Sequence, residues 1–136
     1  MALIVVTRLR LKDPALLDDF FTAAVAALEQ AKESDGNLGS DVLADANNAW
    51  WTLTAWQERR AMHAFVGSEP HRGTMRRLDD WCDEATFADW DQDGADLPDW
   101  QTSYRRLVAD GQAARLSNPS DAHLTRAFPP PVEPAT

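Results

Sequence analysis

The stretch WWTLTAW at residues 50–56, followed directly by QERRAMHAF at residues 57–65, decides the fold of this chain. The first part has the aromatic and β-branched composition of a strand, and the second part spaces its apolar residues as a helix does. Three of the six tryptophans of the chain lie on this one strand. Because indole is large, rigid and half polar, such a cluster indicates either a dense core or a pocket with aromatic walls.

The composition narrows the class of protein. The chain has 136 residues, which predicts one domain, and 44% of its residues are hydrophobic while 26% are charged. Its net charge of -9 argues against nucleic acid and against an anionic membrane as partners, since both attract a basic surface. We therefore expect neither of these partners.

Cysteine and histidine are too few for a disulfide or for a recognisable metal site. Cys82 is the only cysteine, which rules out an internal disulfide and fits a reducing cytoplasm. Cys82 and the three histidines lack the short, fixed spacing of metal ligands, so no metal site is predicted. No apolar stretch approaches the roughly 20 residues that are needed to span a bilayer.

The remaining sequence extends the strand–helix junction into a regular order of elements. Hydrophobic periodicity and capping residues predict strands over residues 2–12, 40–45, 50–56 and 84–91, and helices over residues 14–32, 58–66, 68–81 and 96–109. The first strand is apolar on both faces, which favours a central place in the sheet. The order β-α-β-β-α-β with a further C-terminal helix predicts an α+β domain of the ferredoxin-like type over residues 1–111.

Residues 112–136 differ in composition from the domain before them. They are polar and contain a proline-rich segment, Phe128-Pro129-Pro130-Pro131. We expect this C-terminal tail to be mobile unless it packs on another surface, such as a neighbouring subunit.

The arrangement of the helices predicts a dimer. With both helices on one face of a four-stranded antiparallel sheet, the opposite face is left bare and carries apolar residues of the first and third strands. A monomer seldom exposes such a patch. The economical arrangement is a two-fold homodimer in which the two sheets close on each other.

The strand-to-helix junction also carries a family resemblance. The segment WQERRAM at residues 56–62 resembles the corresponding junction of the antibiotic biosynthesis monooxygenase superfamily, the dimeric α+β barrel proteins. The longer pattern, which runs through Ala64-Phe65-Val66 and His71-Arg72 to Trp81, is similar to a branch of unknown function related to spheroidene monooxygenase-like proteins. The resemblance covers residues 1–110 and implies a dimeric α+β barrel. The superfamily includes cofactor-free monooxygenases, haem-degrading enzymes, isomerases and dehydratases.

The chain departs from this family at positions that matter for chemistry. Many classical members carry a histidine where this chain has Phe65. In the haem-degrading members an asparagine, a tryptophan and a histidine fall on Thr7, Phe65 and Met75, and none of these residue types is retained. These departures argue against haem degradation of that kind.

Strand alternation divides the tryptophan-rich strand into two faces. Trp50, Thr52, Thr54 and Trp56 lie on one side, and Trp51, Leu53 and Ala55 lie on the other. The resemblance favours the first set as the barrel-lining face and leaves Trp51 with the helix-packed layer. The substrate-binding residues expected from this interpretation are Thr7, Trp50, Thr52, Thr54, Phe65, Met75 and Trp90. The alternative is that the same face packs against the partner sheet and encloses no cavity.

His71 is the candidate acid–base group. It lies at the start of a predicted helix, where the helix dipole disfavours imidazolium and lowers the pKa. A neutral imidazole there could act as a base or bind an iron, whereas the structural alternative is a histidine that hydrogen-bonds the helix start. Arg8 and Arg10 could pair with acidic residues at a sheet end or hold an anionic substrate.

Taken with these residues, the resemblance implies a small tailoring enzyme of the monooxygenase-like type that acts on an aromatic or polyketide-like molecule. Trp56 and the threonine hydroxyls would orient the substrate and His71 would take a proton, without a metal or other cofactor. Two alternatives stay open. One is a haem-binding protein with His71 as axial ligand, and the other is a non-catalytic dimeric ligand-binding module.

Overall fold

A central five-stranded antiparallel sheet organises the chain. In the computed structural model, which describes residues 1–133, the elements are β1 (Ala2–Leu11), α1 (Leu17–Glu33), β2 (Asn37–Ala44), β3 (Ala49–Trp56), α2 (Arg59–Val66), α3 (His71–Arg76), α4 (Leu78–Trp81), β4 (Cys82–Gln92), α5 (Trp100–Asp110), β5 (Gln112–Ala113) and α6 (Asp121–Thr125). The strand order is β2-β3-β1-β4-β5, with β1 in the middle. The predicted ferredoxin-like α+β class and the central place of the first strand are both confirmed.

Local sequence signals account for the junctions between these elements. Asp13 accepts a hydrogen bond from the backbone N–H of Ala15 at 2.9 Å and so starts the turn that leads into α1. Asn48 adopts a φ of 62° in the β2–β3 hairpin, which asparagine tolerates better than most residues. The helix predicted over residues 68–81 is divided at Arg77 into α3 and α4.

The alternation predicted for β3 is confirmed, but the layers that cover its two faces are the reverse of those expected. Trp50, Thr52, Thr54 and Trp56 face the helices α1, α2 and α3. On this face the core is divided into two apolar clusters, one around Phe20 and Trp50 and the other around Trp56 and Phe65. The side chains therefore do not meet in one continuous layer beneath α1.

The opposite face, which carries Trp51 and is called the Trp51 face below, is covered by α5 and by the segment that follows α5. Ile4, Val6, Trp51, Leu53 and Ala55 are at most 1% exposed in the single chain. They pack in one cluster with Leu107 of α5 and with Phe128, which lies beyond α6 and is itself buried. The expectation of a bare sheet face is therefore wrong, because α5 and the C-terminal segment of the same chain cover this face. The argument for a dimer closed through this face no longer holds.

A buried ion-pair cluster fixes the C-terminal segment to the sheet. Glu84 of β4 accepts hydrogen bonds from Arg8 at 2.5 Å, from Arg10 at 2.6 Å and from the Ser120 hydroxyl at 2.7 Å. His123 is 1% exposed and joins the backbone N–H of residue 85 to the carbonyl of residue 114. Arg8 and Arg10 thus pair with an acidic residue rather than facing a ligand. Residues 112–133 pack on the chain's own sheet, and residues 134–136 of the predicted tail lie outside the described part.

Within the described part of the chain, no helix combines the length and the apolar character needed to cross a membrane.

Candidate functional site

A cavity of about 290 Å³ lies between the sheet and the helices that cover its Trp50 face. It separates the two apolar clusters of that face. The sheet contributes Val5, Thr7, Leu9, Val42, Trp50, Thr52, Thr54, Trp56, Phe87 and Asp89 to its lining. Helices α1, α2, α3 and α4 contribute Phe20, Ala24, Ala27, Leu28, Ala31, Met62, Phe65, Val66, His71, Thr74, Met75 and Leu78. The tryptophan-rich strand therefore contributes both to a core and to a pocket. Trp51 lies in the core on one face of the sheet, while Trp50 and Trp56 line the cavity on the other face.

Three aromatic rings lie in contact at one end of the cavity. The rings of Trp56 and Phe65 have centroids 5.2 Å apart and planes inclined by 28°, and the His71 ring lies 4.5 Å beyond Phe65. Trp56 has no exposed surface, and its indole N–H donates to the Thr54 hydroxyl at 2.9 Å. Since that hydroxyl oxygen accepts from the indole, its own proton is available to a ligand in the cavity.

The other end of the cavity is held by edge-to-face contacts. Phe20 lies 5.9 Å from Trp50 and 5.7 Å from Trp81, with interplanar angles above 80° in both pairs. Phe21 meets Trp50 in the same manner at 5.9 Å, although its side chain is half exposed. Such contacts fix ring orientation, so this wall presents a preformed aromatic surface.

His71 begins α3 and reaches the cavity from the turn between α2 and α3. Its Nδ1 lies 3.2 Å from the carbonyl oxygen of Val66. Because a carbonyl only accepts, Nδ1 carries the proton in the neutral ring and Nε2 keeps a free lone pair. Burial lowers the pKa of His71 below its ordinary value of 6.5, and the Val66 carbonyl opposes this shift only in part. The direction of this shift is the one predicted from the helix start, and burial is its largest cause.

Most of the residues predicted for the site do line this cavity. Thr7, Trp50, Thr52, Thr54, Trp56, Phe65, His71 and Met75 all do so. Trp90 does not, and its predicted place in the aromatic wall is wrong. It pairs with Ile4 across β1 and β4, which puts it on the opposite face, where it packs with the Trp51 cluster and against the guanidinium of Arg106.

Two residues of β4 occupy the position that had been expected for Trp90. Phe87 lies opposite Thr7 and Asp89 lies opposite Val5 in the β1–β4 register, so both point to the cavity. Asp89 also accepts a hydrogen bond from Arg59 of α2 at 2.9 Å. Strand alternation puts Phe87 and Asp89 on one side of β4 and Trp90 on the other, but only the pairing register decides which side faces the cavity.

The polar groups that line the cavity are few and have distinct roles. They are the hydroxyls of Thr7, Thr52, Thr54 and Thr74, the imidazole of His71 and the carboxylate of Asp89. This set offers one neutral base, several hydroxyls and one anion within an apolar surface. Such an arrangement suits a flat ligand that carries a few hydroxyl or carbonyl groups. Across residues 1–133, no three His, Cys, Asp or Glu side chains are placed to share a metal ion.

Known proteins share this fold. Rv0793 from Mycobacterium tuberculosis superposes with a TM-score of 0.63 at 14% identity, covering 71% of this chain and 100% of that chain. A putative antibiotic biosynthesis monooxygenase from Nitrosomonas europaea gives 0.61 at 17% identity, covering 67% and 89%. SnoaB from Streptomyces nogalater, described as a cofactor-independent oxygenase, gives 0.57 at 10% identity, covering 68% and 94%. At these identities the likeness concerns the fold alone.

Sequence comparison identifies the family directly. No curated protein matches the chain with significant sequence similarity. The sequence model of the antibiotic biosynthesis monooxygenase family matches residues 2–77, which include most of the cavity lining and more than half of the chain. The chain therefore belongs to the antibiotic biosynthesis monooxygenase family.

Proposed function

We propose that the chain is a small-molecule tailoring enzyme that binds an aromatic or polyketide-like substrate in the cavity and oxidises it with molecular oxygen, without a metal or organic cofactor. The observation that carries this proposal is the half-buried imidazole of His71, the one histidine that lines the cavity, with Nε2 free, beside the stacked rings of Phe65 and Trp56. Family membership and the fold shared with a cofactor-independent oxygenase also support it.

The size of the cavity limits the substrate. At the packing density of protein interiors, about 0.75, a cavity of about 290 Å³ holds a molecule of roughly 220 Å³. That volume suits about three fused six-membered rings with small substituents. The aromatic walls would contact the faces and edges of such a ring system, and the threonine hydroxyls would orient its oxygen atoms.

The proposed chemistry begins at an acidic CH₂ group next to the rings, as in an anthrone. His71 Nε2 takes one proton from this carbon, while the Thr54 hydroxyl donates a hydrogen bond to the oxyanion that develops. The carbanion transfers electrons to O₂ and forms a C–O bond, and the proton on His71 returns to the resulting peroxide. Loss of water with the second C–H proton leaves a carbonyl. One O₂ thus supplies the carbonyl oxygen and the oxygen of water, and the CH₂ carbon is oxidised by four electrons.

Oxygen consumption with a tricyclic anthrone as the probe tests this function. His71→Ala should lower kcat by about 100-fold or more, because general base catalysis contributes factors of that order. Trp56→Phe should lower kcat/KM by a smaller factor, because it removes the hydrogen bond that orients Thr54.

His63→Ala is the matched control, since His63 is an exposed histidine on the neighbouring helix α2. It should leave turnover unchanged. Full turnover by both the His71→Ala and the Trp56→Phe chains would overturn the proposed function.

The haem alternative is less well supported by the geometry. Nε2 of His71 could bind an iron, but the cavity of about 290 Å³ is smaller than a porphyrin, and the Phe65 ring already covers the imidazole at 4.5 Å. Addition of haemin distinguishes the two cases. A Soret band that depends on His71 would support the alternative, and its absence at saturating haemin would remove it.

The other predicted properties stay predictions. A non-catalytic ligand-binding module would bind the anthrone with no oxygen consumption, so the same assay separates it from an enzyme. A homodimer would have to form through a surface other than the Trp51 face, since that face is buried within one chain. Cys82, a buried free thiol, is compatible with the predicted cytoplasmic location.

A further inference from the structure

Gln30, near the end of α1, is bonded to the turn that carries His71. Its Nε2 donates to the carbonyl oxygens of Phe65 and Ser68, each at 3.2 Å, and its Oε1 accepts from the backbone N–H of His71 at 2.7 Å. These three bonds join residues that lie 35 to 41 positions apart in the sequence. The side chain of Gln30 therefore holds both ends of the connection between α2 and α3.

Only a carboxamide can make this set of bonds. The Phe65 carbonyl belongs to the last turn of α2 and the His71 N–H to the first turn of α3, where helices leave backbone groups without helical partners. A primary amide presents two N–H donors and one acceptor on the same terminal group. Glutamate lacks the donors, and lysine lacks the acceptor. Gln30 is thus chemically matched to the two helix ends that it joins.

The segment that Gln30 holds, residues 65–71, contains two of the contacts that orient the imidazole. It includes the Val66 carbonyl that receives Nδ1–H, and the Phe65 ring that covers the imidazole at 4.5 Å. We propose that Gln30 is the positioning residue that fixes the tautomer and direction of His71, so that Nε2 is presented to the cavity. Gln30 touches no ligand in this role, because it acts through the backbone of residues 65–71.

Five charged side chains lie near the segment that carries His71. Glu69 precedes His71 in the turn and accepts from the Gly73 N–H at 3.0 Å, and Arg72 follows on the same helix. Asp89 faces the cavity from β4, while Glu29 and Glu33 line an outer groove beside Gln30. A neutral substitution at residue 30 leaves all of these charges in place, so a change at His71 would report the lost hydrogen bonds.

The test is nitrogen NMR of the His71 ring in the full chain, with Gln30→Met as the variant, because methionine keeps a similar length and removes all three bonds. The unmutated chain should show the Nδ1–H tautomer and a pKa below 6.5. Gln30→Met should convert the ring to a mixture in which the Nε2–H form predominates, as in free histidine, and should change its pKa, because burial and the bond to Val66 together set that pKa. Gln101→Met, on the exposed surface of α5, is the matched control and should change neither signal.

A purely structural role gives a different result. In that case Gln30→Met lowers the melting temperature but leaves the tautomer and the titration of His71 as they were, and the proposal is overturned. Should the variant not fold, an Nε2–H tautomer in the unmutated chain also overturns it. The inference rests on the proposed use of His71 as a base, but the NMR result is independent of turnover. An inactive anthrone assay therefore rejects the function without deciding the role of Gln30.

Discussion

Replacement of Phe128 by alanine is the sharpest test of how the Trp51 face is closed. Phe128 is 2% exposed, and its ring lies 6.4 Å from Trp51 and 6.1 Å from Tyr104 in edge-to-face contacts. The guanidinium carbon of Arg8 lies 4.5 Å from the ring centre. The substitution removes all of these contacts at once, while the polar cluster at Glu84 keeps its own bonds.

The size of the effect follows from this burial. Truncation of a fully buried phenylalanine costs about 3–5 kcal/mol. The segment after α5 can separate from the sheet instead of preserving a void, so we expect the lower end of this range, about 3 kcal/mol, in the free energy of unfolding. A domain of this size has only about 5–15 kcal/mol in total, so the loss is a large share of its stability.

Urea denaturation followed by tryptophan fluorescence measures this loss, and limited trypsin digestion shows where it acts. Cleavage after Arg115 and Arg126 should become faster as the C-terminal segment separates. Phe21→Ala is the matched control, because Phe21 is 49% exposed and should cost no more than about 1 kcal/mol. The reasoning is refuted when Phe128→Ala is no more destabilising than Phe21→Ala and leaves the rate of cleavage unchanged.

Three further predictions concern the same structure. Thr54→Val removes the acceptor of the buried Trp56 indole N–H and should cost about 1–3 kcal/mol in urea denaturation, whereas an unchanged midpoint would contradict this. Burial raises the pKa of Glu84, but hydrogen bonds from two arginines and a serine outweigh it and hold the pKa below its ordinary value of 4.5. Glu84 therefore stabilises the fold above pH 4.5, and this contribution is lost as the pH falls through the lower pKa of the folded state. Glu84→Gln should make the free energy of unfolding less dependent on pH below 4.5. An unchanged pH dependence would contradict this prediction. Ending the chain after Gly111 removes residues 112–136 and uncovers part of the apolar sheet face. Sedimentation velocity should then show self-association that increases with protein concentration. A monomer at every concentration would contradict this prediction.

The division of β3 into two faces could be predicted because it depends on local geometry alone. Successive side chains of a strand point to opposite sides, so Trp50 and Trp51 had to separate whatever covered them. The hydroxyls of Thr52 and Thr54 on the same side as Trp50 indicated which face could hold a ligand. The structure places the cavity on that side.

The identity of the covering layers could not be predicted, because contacts distant in sequence decide it. Residues 112–133 are polar and rich in proline and show no helical or strand periodicity, which is typical of a mobile tail. Phe128 and His123 of this segment are buried against the sheet. Isolated residues of this kind produce no hydrophobic periodicity that could be recognised in the sequence. Pairing of the two arginines of β1 with acidic residues at a sheet end was one of two expectations, but nothing in the sequence singled out Glu84 or the serine of the tail that joins them.

The error at Trp90 has a different cause. Residue type suggested an aromatic wall, whereas the pairing register decides which face a strand residue occupies. With Thr7 opposite Phe87 and Ile4 opposite Trp90, the smaller ring and Asp89 face the cavity. The role of Gln30 had no sequence signal at all, because a glutamine near a helix end ordinarily faces solvent, and its partners lie beyond the next two strands.

The cover of the Trp51 face belongs to the same chain as the sheet, and this governs when and how the face closes. Closure is a first-order step, so its free energy does not depend on protein concentration, and dilution cannot reopen the face. The covering residues 100–133 are also the last of the described residues to be synthesised. At about 5–20 residues per second, they take roughly 2 to 7 seconds to be added after strands β1 to β4 are complete. During that interval each new chain presents an apolar sheet to its surroundings, which is when it is most exposed to aggregation and to chaperones.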